Sequence, residues 1–406
     1  MFDALDGTSE RYQLANGIDD VFRFFAESNP DLFKLCLELF LTQDYSYNVF
    51  PNAFITKLIE NFGRGEARRI LSLARTHRQY YLSTFYACLT ESEILTEDVA
   101  SILKLWGESE PSELPQGWNY LLKYTAIEAT VFIQVGRVVW DRISANPSFS
   151  RCLESLFNPF GQTSKIITSL FSGDIDLLKG LYFAHVQYDR AADHLGSTMS
   201  QILNVDSTFL LENIDFVLTK HQWPSSFDDD RDYSFIWLRD DYTKVVRSVV
   251  EHLYVAEEKR QFSTGSYLDV FFIIRGKGKY DSLVLERQDA FLKDLIAERN
   301  ANSLYMNMIF RLISEFENDR RKLFVEAFVK RNPDITAFEN IQLESSSRSA
   351  SGSWVPVHQK RVEYFESLLS ILSTFQLLTH KRLIERRIQQ IRELIEDEKR
   401  RDFTGE

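Results

Sequence analysis

Imidazole and carboxylate groups at helical spacing can hold a metal ion, and the stretch HVQYDRAADH offers such a set. His185, Asp189 and Asp193 stand at i, i+4 and i+8, so a continuous helix would place them near one face, with His194 round the turn. HExxH is absent and no second helix of matching pattern accompanies them. The competing reading is a solvated, ion-paired polar face around Arg190.

A second acidic group lies in SSFDDDRDYSFIWLRDDY, with Asp228, Asp229, Asp230, Asp232, Asp240 and Asp241. Clustered carboxylates serve Mg²⁺ or Ca²⁺. An EF-hand loop opened at Asp228 would need glycine in the sixth place and glutamate in the twelfth, where the chain has Tyr233 and Arg239. The segment reads as a solvated acidic loop, and its functional alternative is a docking surface for a basic partner.

The nearest thing to a phosphate loop is RGKGKYD, where Arg275, Lys277 and Lys279 surround two glycines. It lacks the third glycine of GxGxxG and a flanking βαβ pattern, so a solvated turn competes with an anion contact. No GxxxxGK[ST] and no GxSxG occurs, and spacing picks out neither a Cys–His pair nor a nuclease-type carboxylate set. The last candidate is SSSRSASGSWVPVHQKR. Its serines are too polar for a core, but Trp354 and Arg348 are residue types favoured at binding hot spots. We read it as an anchored loop with Trp354 packed inward and Arg348 exposed; a flexible linker and a ligand-contact loop are the alternatives.

The elements that must position these groups read as helices almost throughout. In DLFKLCLELFL the apolar residues follow helical spacing, and Asn29-Pro30-Asp31 supplies an N-cap, an N1 proline and a first-turn acid. Asn146-Pro147 and Asn332-Pro333 repeat that punctuation at unequal intervals, so no repeat period follows. Helices are expected over 53–61, 66–88, 98–106, 118–144, 148–157, 163–171, 174–195, 197–204, 206–221, 242–258, 282–300 and 302–330. Segments 233–242 and 266–282 are left open between strand and helix. Ile384, Ile388, Ile391 and Ile395 form a short a/d seam, expected to dock on the preceding helix.

The expected fold is therefore all-α: stacked antiparallel helices in a HEAT/TPR-like array, ending in a helix pair. Candidate boundaries divide it into helical subdomains 1–106, 118–222 and 233–344, a Ser-rich loop 345–356 and a C-terminal helix pair 357–402.

Composition bounds the function. The 406 residues are 44% hydrophobic and include 32 Phe, enough for a sizeable core. A net charge of −12 disfavours a general phosphate-binding surface. Cys36, Cys88 and Cys152 are odd in number, lack CxxC spacing and read as small buried hydrophobes of a reducing compartment. MFDALDGTSERYQ has no signal-peptide pattern, and the most apolar window, 121–140, carries Lys123, Glu128 and Arg137, so a cytoplasmic location is expected.

The stretch NPDITAFENIQLESSSRSASGSWVPVHQKRVEYFESLLSIL, followed by LLTHKRLIERRIQQIRELIEDEKRRDF, resembles the C-terminal end of large bacterial STAND-type ATP-binding proteins, some of which act in antiviral defence. The resemblance is clearest over 330–403. It implies a helical sensor or scaffold region that recognises a protein, with the NTPase outside this chain. The leading expectation is thus a non-enzymatic, protein-binding helical module with no cofactor. Its rivals are a metal-dependent enzyme using His185, Asp189 and Asp193, and a nucleic-acid-binding module using Arg275, Lys277, Lys279 and the basic last helix.

Overall fold

Local chemistry starts the helices where the sequence says it should. Asn29 Oδ1 accepts the Leu32 amide at 3.1 Å and opens the Pro30–Leu41 helix, whose Phe33, Leu37 and Leu41 are buried. The computed structural model describes residues 23–43, 52–114, 117–189, 192–220, 229, 231–259, 265–274, 281–345 and 353–404. Among them every regular element is helical and none is a strand. The protein is an all-α array of helices packed against one another.

The chain divides into two compact units, Met1–Phe209 and Leu210–Glu406. In the first, the helices Pro30–Leu41, Asn52–Leu71, Arg78–Cys88, Thr96–Glu108, Val131–Ala145 and Ile175–Tyr188 pack each on the next in chain order. Aromatic rings fill this unit. Trp106 lies 4.9 Å from Trp118, which stacks on Phe132 at 6.0 Å, and both indole N–H groups find acceptors, Tyr120 Oη and the Cys152 carbonyl. A Cβ on Gly136 would stand 3.0 Å from Phe171, and one on Gly180 3.1 Å from Trp140. The last two helices of the series approach closely because each lacks a side chain there.

In the second unit, Ser234–Leu238 packs on Tyr242–Glu258 and on Asp281–Arg299. Asp281–Arg299 meets Asn318–Arg331, which meets Val355–Thr374. Val355–Thr374 and Leu378–Thr404 form a closely packed hairpin joined by three residues. Ile384, Ile388, Ile391 and Ile395 are buried in it together with Phe365, Leu368 and Leu372, so the isoleucine seam docks on the preceding helix as expected.

Several expected helices are interrupted. The span 66–88 breaks after Leu71 and restarts at Arg78, with His77 left-handed at φ 54°. Gly63, at φ 75°, kinks Asn52–Leu71 where a stop was expected. The span 118–144 opens as a 3₁₀ turn, Asn119–Ala126, before Val131–Ala145, and 302–330 is two helices, Ser303–Ser314 and Asn318–Arg331. The ambiguous 233–242 is a short helix, Ser234–Leu238, and Gly265–Phe271 is a helical turn. Periodicity alone passes over such breaks because buried residues on both sides keep the same spacing. No helix among the described residues is long and apolar enough to cross a membrane. Cys36, Cys88 and Cys152 are half-buried thiols in no disulfide, and burial pushes Cys152 up to about 12.

Candidate binding surfaces of the C-terminal unit

The sequence candidates fare unequally. The helix carrying His185 ends at Tyr188, so Asp189 caps it and Asp193 lies beyond, outside any shared helical face. His185 is buried and stacked on Phe157 at 5.1 Å; burial lowers its imidazole to about 4 against the opposing charge of Asp189. Asp193 is left-handed at φ 52°, and its carboxylate accepts from the Thr198 and Met199 amides (3.0 and 2.9 Å) and the Tyr182 hydroxyl (3.1 Å). It starts the Ser197–Val205 helix and orders the turn before it. Among the described residues, no three His, Cys, Asp or Glu side chains converge as a metal ion would need.

The acidic cluster separates as well. Asp228 and Asp230 lie outside the described residues. Asp232 is a local turn acceptor, taking the Ser234 amide at 2.8 Å. Asp229, expected at a solvated surface, is buried. Its carboxylate receives Arg231 Nε and Nη2, both at 2.7 Å, and the hydroxyls of Tyr233 (2.7 Å) and Tyr267 (3.0 Å). Arg231 Nη1 donates to Asn213 Oδ1 at 2.7 Å, and Asn213 Nδ2 donates to Tyr233 Oη at 3.0 Å. Burial alone would raise Asp229; the Arg231 charge and these hydrogen bonds prevail and hold it below the usual aspartate value. The surface role expected for Asp229 is therefore replaced by an internal one: a desolvated carboxylate must take a cation and donors with it.

Arg275, Lys277, Lys279 and Arg348 lie outside the described residues. Trp354 is half-buried at the head of Val355–Thr374. Its ring stacks with His358 at 6.1 Å, and its amide donates to Glu398 Oε1 of the last helix at 3.4 Å. That pins the end of the serine stretch to the hairpin.

Two concave features adjoin this hairpin. The larger is an open groove of about 1070 Å³ along it, with Val362 and Glu363 on one wall and Arg392, Glu393, Ile395 and Arg400 on the other. Its cations are tied locally: Lys399 to Glu396 (2.8 Å), Arg400 to Asp397 (3.1 Å) and Arg392 to Glu366 (2.7 Å). Glu363 has no ion-pair partner among the described residues, so the charge left over in the groove is negative.

The smaller feature is a cavity of about 310 Å³ where Ser314–Arg321 faces Glu344–Ser345 and Val357–Tyr364. Arg361 forks onto both oxygens of Glu344 at 2.8 Å, and Ser345 Oγ donates to Glu315 Oε1 at 2.6 Å. Arg321 lies over the Tyr364 ring, 4.3 Å from its centroid, and bonds only neutral acceptors, Asn318 Oδ1 and the Leu343 carbonyl. Neither feature was visible in the sequence. Arg321, Glu344 and Lys360 each look like ordinary surface residues, and the chain between them carries no pattern that links them. The nearest signal was the serine stretch, which ends the chain segment that lines the cavity. No family model, no curated protein and no solved structure matches the chain.

Proposed function

We propose that this chain is a non-enzymatic helical scaffold or sensor module that binds a protein partner through the groove of its C-terminal hairpin. The observation that carries the reading is that groove: long, open, floored by Val362 and Ile395, and left with acidic charge by Glu363 and Glu393. A basic, amphipathic helix or extended segment is the complementary occupant, its apolar side on the floor and its cations towards the acids. The stacked-helix architecture supports the reading, because such arrays offer long concave surfaces. So does the resemblance of residues 330–403 to the sensing end of STAND-type ATP-binding proteins, which extends the proposal to a bacterial cytoplasmic antiviral sensor whose NTPase lies outside this chain.

The test is paired capture. Wild-type chain and an E363K/E393K variant, whose two changes are at exposed positions, are cross-linked in the native cells and their bound proteins identified. Proteins captured by wild type and lost with the variant, at equal melting temperature, are the expected result. Identical capture by both overturns the reading, as does the absence of any captured protein.

A further inference from the structure

Charge around the smaller cavity does not balance locally. Of its lining residues, Glu344 is neutralised by the Arg361 fork, and Glu315, which accepts from the neutral Ser345 hydroxyl, is the one carboxylate left with its charge. Arg321 and Lys360 remain, and neither has a carboxylate partner among the described residues. Arg321 is held in place by its stacking on Tyr364 and by its bonds to Asn318 and Leu343. Within the same wall, Arg321 Nε and the hydroxyl of Tyr364 are buried without a hydrogen-bond partner, and Tyr364 itself is only 3% exposed. Buried donors are normally satisfied, so a wall that holds an idle guanidinium N–H and an idle hydroxyl lacks acceptors at those two atoms.

A guanidinium and an ammonium, neither ion-paired among the described residues, outweigh the single unneutralised carboxylate of the lining, Glu315, and complement an oxyanion. Arginine offers a planar fork that matches phosphate and carboxylate alike, and lysine a mobile point charge that can close over it. At about 310 Å³ the cavity is at the lower end of small-ligand sites, roughly 300–1,000 Å³, which excludes a macromolecular segment of any bulk. We propose that this cavity binds the phosphate or carboxylate group of a small metabolite, with Arg321 as the fixed contact and Lys360 as the mobile one. Glu315 and the Arg361-neutralised Glu344 face the same space, so a ligand that also carries a hydrogen-bond donor opposite its anionic group fits better than a bare anion. Ser345, whose hydroxyl bonds Glu315, lines the same cavity. The inference stands apart from the groove, because it needs no protein partner.

The experiment uses the purified full chain. Inorganic phosphate and malonate are titrated by calorimetry at constant ionic strength, with sodium chloride as the reference salt. Saturable binding of either probe is expected. Phosphate alone would identify a phosphorylated ligand, malonate alone a carboxylate one, and both the shared chemistry. Lys360→Glu, at an exposed position, should weaken binding by about ten-fold or more, as the loss of a charge-assisted contact does. Lys244→Glu, an equal charge change on another exposed helix position of the same unit, should leave it within about two-fold, since a remote exposed charge is screened. Arg321→Gln, accepted only if its melting curve is cooperative, should abolish binding. Binding of neither probe overturns the proposal, and so does an equal loss with Lys360→Glu and Lys244→Glu.

Discussion

Asp229 and Asp269 lie forty residues apart in the same unit; burial pushes both carboxyl groups up, yet Asp229 ends below the usual aspartate value and Asp269 well above it. Asp229 is surrounded by the Arg231 fork and two tyrosine hydroxyls, and is held ionised. Asp269 has a buried oxygen with no partner; burial, and then the nearby charge of Glu315, push it up to about 8. The same residue type under similar desolvation becomes a charged linchpin in one place and a neutral acid in the other. What differs is whether a cation was buried alongside. The contrast also separates fold from recognition. Every Asp229 oxygen has a donor, whereas Arg321 Nε and the Tyr364 hydroxyl are buried without a hydrogen-bond partner.

The largest effect should come from breaking the Asp229 network. Arg231→Met leaves Asp229 buried without its cation and should cost about 3–5 kcal/mol, read as a lower denaturation midpoint for this unit. An unchanged midpoint would show that Asp229 is not the linchpin described. The network also has an acid signature. Because the folded carboxyl lies below its unfolded value, its stabilisation is complete above about pH 4 and disappears as pH falls through the folded value.

Next in size is Asp193→Ala in the first unit. It removes the acceptor of two helix-start amides and of the Tyr182 hydroxyl, at a left-handed position, and should cost about 2–3 kcal/mol in chemical denaturation. Asp193→Asn, which tolerates the backbone and keeps an acceptor, should recover part of that.

Asp269 gives the opposite pH dependence. Its folded value is raised, so from about pH 4 up to about pH 8 the unfolded chain ionises while the folded chain keeps the proton. Stability should therefore fall with rising pH across that window and level off above it. Asp269→Asn should flatten this part of the stability–pH curve; a slope unaltered by the substitution would refute the assignment.

The smallest effect is a gain. Tyr364→Phe keeps the ring beneath Arg321 and removes a buried hydroxyl with no partner, so the melting temperature should rise by an amount corresponding to about 1 kcal/mol. A destabilised variant would mean that the hydroxyl already has a partner in solution.

How far the sequence could be read follows from the range of the forces involved. The Asn29-Pro30-Asp31 start, the isoleucine seam and the hairpin that ends the chain were all legible, because capping and helical amphipathicity act over a few residues. The failures share a cause. The spacing of His185, Asp189 and Asp193 shares a face only on an unbroken helix, and the break at Tyr188 removes that face. Asp229 was grouped with its acidic neighbours because they are adjacent, whereas its true partners include Asn213 and Tyr267. For the cavity, Arg321 and Lys360 had no reason to be paired.

By itself, then, the sequence determined an all-α chain with caps and apolar stripes, since these depend on each residue and its near neighbours along the helix. Only the tertiary structure decided which carboxylates stay charged and which cations lack a partner. Those outcomes depend on desolvation and on a few ångströms between groups tens of residues apart, and no local pattern encodes that distance.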